Sequence, residues 1–564
     1  MSTRALGSAE PSRHQRTLLL TLLFLAALLA LSPGIGEVTG ITTGDESQLT
    51  LRTALTMMEH DVWIVPHLDE GPRLKKPPMI YWLTRASFEV FGVSLLSARI
   101  VGVVFGALLV LVVALIGFEF TENLRYSLCA GLIALSTIGI TIESRYAMLD
   151  VPTAAFSSFA FYWFLKWCRS RRVWLLGGVA MCLAAGFLTK FFVVFVIFGS
   201  GVLALCIADA EIRSVIWRGK VALAGSLLLF LGLTAPWFLY VYVLYRDHAV
   251  QTVIGETIFR LLGPLSPVPL IALPVIAFPW SFIFMHLLMR PTSFPSDLFR
   301  MGSRRLLVLW VGLSLLPFFF MESYSRYLIG SLVPVALLCA ATMEPMDERR
   351  VQIHARVAMI VTSVIVLSFA AFSWWFRTSI GGLVAVLVAY AVFALVWWQS
   401  THLVPMASSA ALLWMTLAGI LYPSFGFNAI PARMLEAVKG RPVILYRDKQ
   451  PRLLHVQIGR TLTQRQVLSL SDVSSEGGHS PVIFTSEEFV ADLEQNLREL
   501  GVEFRRVDSY KTPNARDKWM RFTRTRATWD DWMLALRSRN LEPVSLTIVL
   551  YALEPRTKAS VQVS

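Results

Sequence analysis

The chain has 564 residues, 55% of them hydrophobic and only 16% charged, and its 51 Lys and Arg against 38 Asp and Glu leave a net charge of +13. A water-soluble chain carries roughly 45–50% apolar and about 25% charged residues, so disorder, a nucleic-acid-binding tail and an all-soluble fold are excluded as the main organisation. The surplus of cations reads first as membrane topology, because Lys and Arg are retained on the cytoplasmic side, and nucleic acid is not an expected partner.

A helix needs about 20 apolar residues to cross ~30 Å of hydrocarbon. Runs of that kind lie near 17–36, 96–116, 126–142, 151–167, 173–189, 191–208, 220–244, 267–289, 306–321, 327–343, 357–375, 381–398 and 403–422, which predicts thirteen spans. The first has no small-residue cleavage site and reads as retained rather than as a signal peptide. With Arg4, Arg13 and Arg16 inside, alternate loops carry Lys166-Arg169-Arg171-Arg172, Arg213-Arg218-Lys220, Arg290-Arg300-Arg304-Arg305 and Arg349-Arg350-Arg356. The opposite loops hold isolated cations, and this asymmetry places the C-terminus outside. Cys129, Cys168, Cys182, Cys206 and Cys339 all fall in or beside apolar runs, where they read as small hydrophobes rather than a disulfide framework.

Two stretches lie outside the bilayer on this reading. Residues 37–95 form an outer loop too long to be a connector. The segment 431–564 follows the membrane domain 1–430 and carries three buried-strand runs, at 442–446, 482–485 and 546–551. Phe489, Val490, Leu493 and Leu497 mark one face of a helix stopped by Gly501, and Thr528 with Asp531 forms a capping-box pattern for a second helix. A small α/β domain fits. It holds no phosphate loop, zinc spacing or nucleophile elbow, so an accessory role is expected of it.

Ionisable residues cluster where they are costly. Gly44-Asp45-Glu46 opens the outer loop, which runs on through Trp63-Ile64-Val65-Pro66-His67-Leu68 to Lys75-Lys76-Pro77-Pro78-Met79-Ile80-Tyr81-Trp82-Leu83. Taken alone, the acid pair reads as a solvated helix end and the lysine pair as headgroup anchors. Arg145 and Asp150-Val151-Pro152 follow between two spans, then Lys190 after Leu188-Thr189, then Arg326-Tyr327 ahead of Pro334. Charges at membrane depth mark function when they line a cavity. All of these sit at the outer ends of spans, and cations gathered there suit a phosphate.

In this order, together with Phe278-Pro279-Trp280, the pieces resemble the polyprenyl-phosphate-dependent glycosyltransferases of the GT-C class, particularly bacterial lipid A aminoarabinose transferases and the protein O-mannosyltransferases. The resemblance covers about residues 15–430. It implies an α-helical polytopic fold with an outer C-terminal domain and an active site on the outer face of the bacterial inner membrane. The substrates it implies are a polyprenyl-phosphate sugar donor and a lipid or protein acceptor. Asp45 is implied as the catalytic acid residue, with Glu46 its neighbour, and Lys76 as a donor-phosphate ligand. Lys190, Arg145 and Arg326 are implied near the same cavity, with Asp150, Tyr81 and Tyr327 in support. The chain departs from the aminoarabinose enzymes in Ser47-Gln48-Leu49 after the acid pair. It also has Lys75 where they carry an acid associated with a metal position, which argues against bound zinc. No cofactor is assigned, and a divalent metal stays open. Two other classes compete: a transporter or flippase, which the absence of an internal repeat disfavours, and a sensor or scaffold, which leaves Lys76-Pro77-Pro78 unexplained.

Overall fold

The computed structural model describes residues 12–69, 71–248, 250–251, 265–289, 304–343, 346–473, 480–514 and 521–553. Arg290 and Arg300 of the expected cytoplasmic loops lie outside these residues. The first part of the chain is a helical bundle: α1 (Arg13–Leu31), α2 (Arg52–Glu59), α3 (Met79–Phe91), α4 (Leu95–Thr121), α5 (Leu124–Leu135), α6 (Ile138–Glu143), α7 (Asp150–Ser170), α8 (Trp174–Lys190), α9 (Val193–Ala208), α10 (Ala210–Arg218) and α11 (Lys220–Leu244). Further helices follow to residue 425. Seven helical stretches among the described residues are long and apolar enough to cross a membrane, and α9 with α10, bent by 116°, adds an eighth if the pair is one span. Leu228, Leu239 and Val243 of α11 are exposed, a face that suits hydrocarbon rather than water. The protein is a multi-span membrane protein.

Several of the thirteen predicted spans take a shorter or broken form. The run 126–142 is divided at Ser136 and Thr137, whose hydroxyls bond back to Leu132 and Ala134 carbonyls, each at 2.8 Å. The run 267–289 is divided too, into Val268–Ile276 and Ser281–Met289. The two breaks satisfy each other: Ile138 N–H donates to the Phe278 carbonyl at 2.9 Å, and the Trp280 indole donates to Ser136 Oγ at 2.9 Å. Phe278-Pro279-Trp280 is thus the other half of a helix-break joint, with Trp280 wholly buried. A backbone that leaves helical geometry at membrane depth needs partners of this kind.

The C-terminal segment folds around a five-stranded sheet of order β4-β3-β5-β7-β6. Its strands are β3 (Val443–Tyr446), β4 (Thr463–Arg465), β5 (Val482–Ser486), β6 (Phe504–Thr512) and β7 (Leu546–Leu553). β3 runs parallel to β4 and β5, whereas β7 is antiparallel to β5 and β6. The three apolar runs are the central strands, and the expected helix occupies Val490–Glu499 before Gly501 at φ +63°. The Thr528–Asp531 capping box opens the helix Trp529–Ser538. Both edge strands escape the apolar pattern, since β4 is three residues long and β6 carries exposed charges, the usual protection of a sheet edge.

This domain docks on the outer loop. Thr461 N–H donates to Glu59 Oε1 at 2.6 Å, Gln464 Nε2 to Gln48 Oε1 at 2.7 Å, and Gln48 Nε2 to the Lys449 carbonyl at 3.2 Å. Leu453 and Val456 pack with Leu51, Ala54 and Phe88 in one buried cluster. Loop and sheet therefore share one end of the bundle.

Candidate active site

The site is built where five segments converge on that end. α7 and α8 are antiparallel and joined by a tight turn, so the first residue of one, Asp150, meets the last residue of the other, Lys190, in a buried ion pair. The acid at a helix N-terminus and the cation at a C-terminus also complement the two helix dipoles. A 3-10 turn, Ser325–Ser331, supplies Arg326 and Tyr327. Arg326 Nη2 lies 2.5 Å from Asp45 Oδ2, and its Nε lies 3.5 Å from Asp150 Oδ2. One guanidinium thus ties the acid of the outer loop to the acid of α7. Lys190 Nζ stands 3.5 Å over the Tyr327 ring, and Arg326 4.7 Å over the Tyr324 ring.

The outer loop contributes the rest. The Trp63–Leu68 run is fastened by two indoles, Trp82 donating to the Trp63 carbonyl and Trp237 to the Ile64 carbonyl, the latter at 2.8 Å. A short hairpin of β1 (His67–Leu68) and β2 (Gly71–Pro72) then delivers Arg73, whose Nε donates to the Tyr81 hydroxyl at 2.9 Å. Burial raises the Tyr81 phenol above its ordinary value of 10 despite that guanidinium, so it stays protonated. Pro77 and Pro78 are buried and hold Lys76 at the start of α3.

A cavity of about 290 Å³ results. Asp45, Lys76, Tyr81, Asp150, Lys190, Arg326 and Tyr327, all expected from the sequence, line it. Arg73, Lys75 and Tyr324 line it as well, which sequence reasoning missed: Lys75 reads as a headgroup anchor, and nothing in the pattern separates Arg73 from any loop cation. Among the described residues, the wall holds five cations against two carboxylates. The Asp45 side chain keeps 46% of its surface exposed, whereas that of Asp150 keeps 3%. Asp45 is reachable by a substrate and Asp150 is locked.

Two expected site residues lie elsewhere. Glu46 is fully buried and does not line the cavity. Its carboxylate accepts from Arg99 Nε and Nη2, both at 2.8 Å, from the Thr42 hydroxyl at 2.9 Å and from Ala147 N–H at 3.0 Å. The reason is local. Residues 46–51 form a π-helical turn, and its first residue points into the bundle while Asp45 stays at the surface. Arg145 is also buried, does not line the cavity, and donates to the Pro33 carbonyl. The turn that carries it lies so close to α4 that a Cβ at Gly102 would stand 2.3 Å from the Tyr146 carbonyl oxygen, and one at Gly106 2.2 Å from Ser144 Oγ. Glu46 and Arg145 therefore hold the scaffold rather than face a ligand.

Among the described residues no group of three or more His, Cys, Asp or Glu could hold a metal ion. The two cavity acids are engaged by Arg326 and Lys190, and that donor set does not fit a metal site.

Comparison with known proteins agrees with the motif resemblance. Residues 50–250 match the family described as dolichyl-phosphate-mannose-protein mannosyltransferase. The undecaprenyl phosphate-alpha-4-amino-4-deoxy-L-arabinose arabinosyl transferase of Pseudomonas aeruginosa (strain LESB58) is 30% identical over 323 residues, 53% of this chain and 55% of that one. The protein of the same description from Pectobacterium carotovorum is 27% identical over 368 residues, 62% and 64% of the two chains. An uncharacterised Aquifex aeolicus protein is 28% identical over 261 residues, 43% of this chain and 50% of its own. The matches thus span about half to two thirds of these relatives' length. Among solved structures, ArnT from Cupriavidus metallidurans bound to undecaprenyl phosphate superposes with a TM-score of 0.68 at 16% identity, covering 96% of this chain and 98% of that one, and so shares the fold.

Proposed function

We propose that the protein is an integral-membrane glycosyltransferase that moves a sugar from a polyprenyl-phosphate carrier to an acceptor at the outer face of the bacterial inner membrane. The observation that carries the proposal is that, among the described residues, five cations and two acids line one cavity at the outer-loop end of the bundle. The donor is a phosphodiester whose phosphate becomes a more highly charged monoester when the sugar leaves, and a cationic wall compensates that charge in a partly dry site. The resemblance to aminoarabinose transferases in sequence and fold supports the same reading.

In the reaction, an acceptor oxygen attacks the anomeric carbon of the donor. The bond from that carbon to the phosphate oxygen breaks, and its electron pair leaves with the polyprenyl phosphate. Lys76, Lys190 and Arg73 stabilise the charge that grows on this leaving group, an effect strongest where water is excluded. Arg326 holds the Asp45 carboxylate in place. An acceptor hydroxyl gives its proton to Asp45, while a phosphate acceptor arrives anionic and needs only positioning. Asp150, clamped by Lys190 and Arg326, acts as a positioning residue that keeps the two cations apart and in place. The activated sugar arrives on lipid, so the reaction needs no nucleotide.

Lipid A or another envelope glycolipid is the acceptor we favour, because the motifs resemble those of lipid A aminoarabinose transferases and two relatives are described as undecaprenyl phosphate-alpha-4-amino-4-deoxy-L-arabinose arabinosyl transferases. The family match over residues 50–250 favours a protein acceptor as the second reading. The test is transfer of label from a polyprenyl-phosphate sugar by the purified protein, without added energy source, to lipid A or to envelope protein. Mass spectrometry of both fractions from a deletion strain supplies the acceptor. Asp45→Asn is expected to lose 10²–10⁴-fold in turnover with donor binding retained. Absence of transfer from any lipid-linked donor, with transport activity in its place, would refute the proposal.

A further inference from the structure

A second cavity, of about 380 Å³, opens at the opposite end of the bundle between α1, α4 and α7. Its position follows from helix length. Lys166 on its rim is sixteen residues along α7 from Asp150, about 24 Å at 1.5 Å per residue. Arg16 lies in the first turn of α1, whose last residues reach the outer-loop end.

The mouth and the walls differ in chemistry. Arg16 and Lys166 stand at the mouth with the hydroxyls of Thr17 and Tyr162. Each cation rests on an aromatic ring, Arg16 at 4.7 Å from the Phe118 centroid and Lys166 at 5.5 Å from that of Tyr162. Neither has a carboxylate partner among the described residues. One acid, Glu119, also lines the cavity, but its charge is met by another cation: Arg169 Nη1 lies 3.0 Å from Glu119 Oε2, and Arg169 Nη2 binds Glu122. Deeper in, the walls are Leu20, Phe24, Leu111 and Leu115. Arg16 to Phe24 is about two turns of α1, about 12 Å, along which the lining passes from charged, through Leu20 and Thr21, to apolar.

We infer that this groove is a binding site for an anionic phospholipid of the membrane leaflet opposite the candidate active site. The phosphate would sit between Arg16 and Lys166, and one acyl chain would lie against the leucines of α4. Ordinary interfacial anchors point singly into the headgroup layer. Here two cations without carboxylate partners converge on one concave mouth whose depth is apolar, which is the arrangement a phosphate with a hydrocarbon tail matches.

The experiment is native mass spectrometry and thermal melting of the full-length protein in detergent micelles doped with phosphatidylglycerol, phosphatidylethanolamine or inorganic phosphate alone. Phosphatidylglycerol is expected to bind at least tenfold more tightly than phosphatidylethanolamine and to raise the melting midpoint. Arg16→Gln or Lys166→Gln should each weaken it about fivefold, and the double variant about twenty-five fold. Leu115→Trp, which fills the groove and leaves both charges, should lose the same lipid. Arg172→Gln with Arg218→Gln removes two exposed cations that do not line the groove and should change nothing. The inference is overturned if the Arg16/Lys166 double variant retains phosphatidylglycerol as the wild type does, or if the Arg172/Arg218 variant loses as much. It is equally overturned if inorganic phosphate stabilises the protein as well as the lipid does, or if Leu115→Trp binds normally.

Discussion

Asp45 and Glu46 are adjacent acids with opposite surroundings, so substituting each should give opposite phenotypes. Glu46→Ala removes a carboxylate that receives two guanidinium bonds, one hydroxyl and one backbone N–H in a fully buried place. It leaves Arg99, itself 1% exposed, as a buried cation whose other hydrogen bond among the described residues goes to the Ile35 carbonyl at 3.1 Å. Breaking one side of such a pair costs about 3–5 kcal/mol, most of it the uncompensated charge. The lost bonds join residues 42–46, α4 and the turn before Asp150, so the damage should open both acid-bearing segments together. Glu46→Ala should therefore lower the melting midpoint and the monodisperse yield in a fixed detergent, and expose the Ala147 amide to hydrogen exchange. Replacing both partners, Glu46→Ala with Arg99→Met, should recover more than half of the loss, because no buried charge then remains. Asp45→Asn, by contrast, should melt within a degree or two of the wild type. A Glu46→Ala protein that melts normally, keeps Ala147 protected and yet fails to turn over would refute this reasoning and return Glu46 to the chemistry.

Three further outcomes are expected. Lys76→Ala should weaken donor binding and slow single-turnover transfer together, since the charge serves the bound phosphate and the leaving group alike; Lys75→Ala should do less, because its exposed side chain on the same wall stays screened by water, and equal losses at both would mean the two act as one pair. His455 is buried beside the outer loop, and burial with the nearby Arg52 guanidinium pushes it down to about 3 from 6.5. The unfolded chain then binds the extra proton between those values, so stability is full above pH 6.5 and falls as pH drops through that window, by ~2 kcal/mol at pH 5; His455→Gln should flatten this part of the melting-against-pH curve, and parallel curves would refute the assignment. A reporter fused after Ser564 should be active only outside the cytoplasm, because the sheet and the outer loop share one end of the bundle.

The sequence by itself determined the class of molecule, the order of most elements and the cast of the site. Hydropathy is a local property, so long apolar runs such as 96–116 and 381–398 can be read without any knowledge of neighbours, and so can the central strands and caps of the C-terminal domain. Ionisable residues at span ends are equally visible, because their cost in a membrane does not depend on where they point. Direction is what the tertiary structure alone decided. Asp45 and Glu46 are indistinguishable as letters, yet the π-helical turn after them sends one to the cavity and the other to Arg99. Arg145 and Lys190 look alike at span ends, but only Lys190 closes a helix whose antiparallel partner begins with Asp150. The broken spans at 136–137 and 277–280 depend on hydrogen bonds between segments about 140 residues apart, which no window along the chain contains. Arg73 enters the site because a short hairpin turns it inward. Composition fixes what can be buried; which face of each residue is buried follows from partners that only folding brings together.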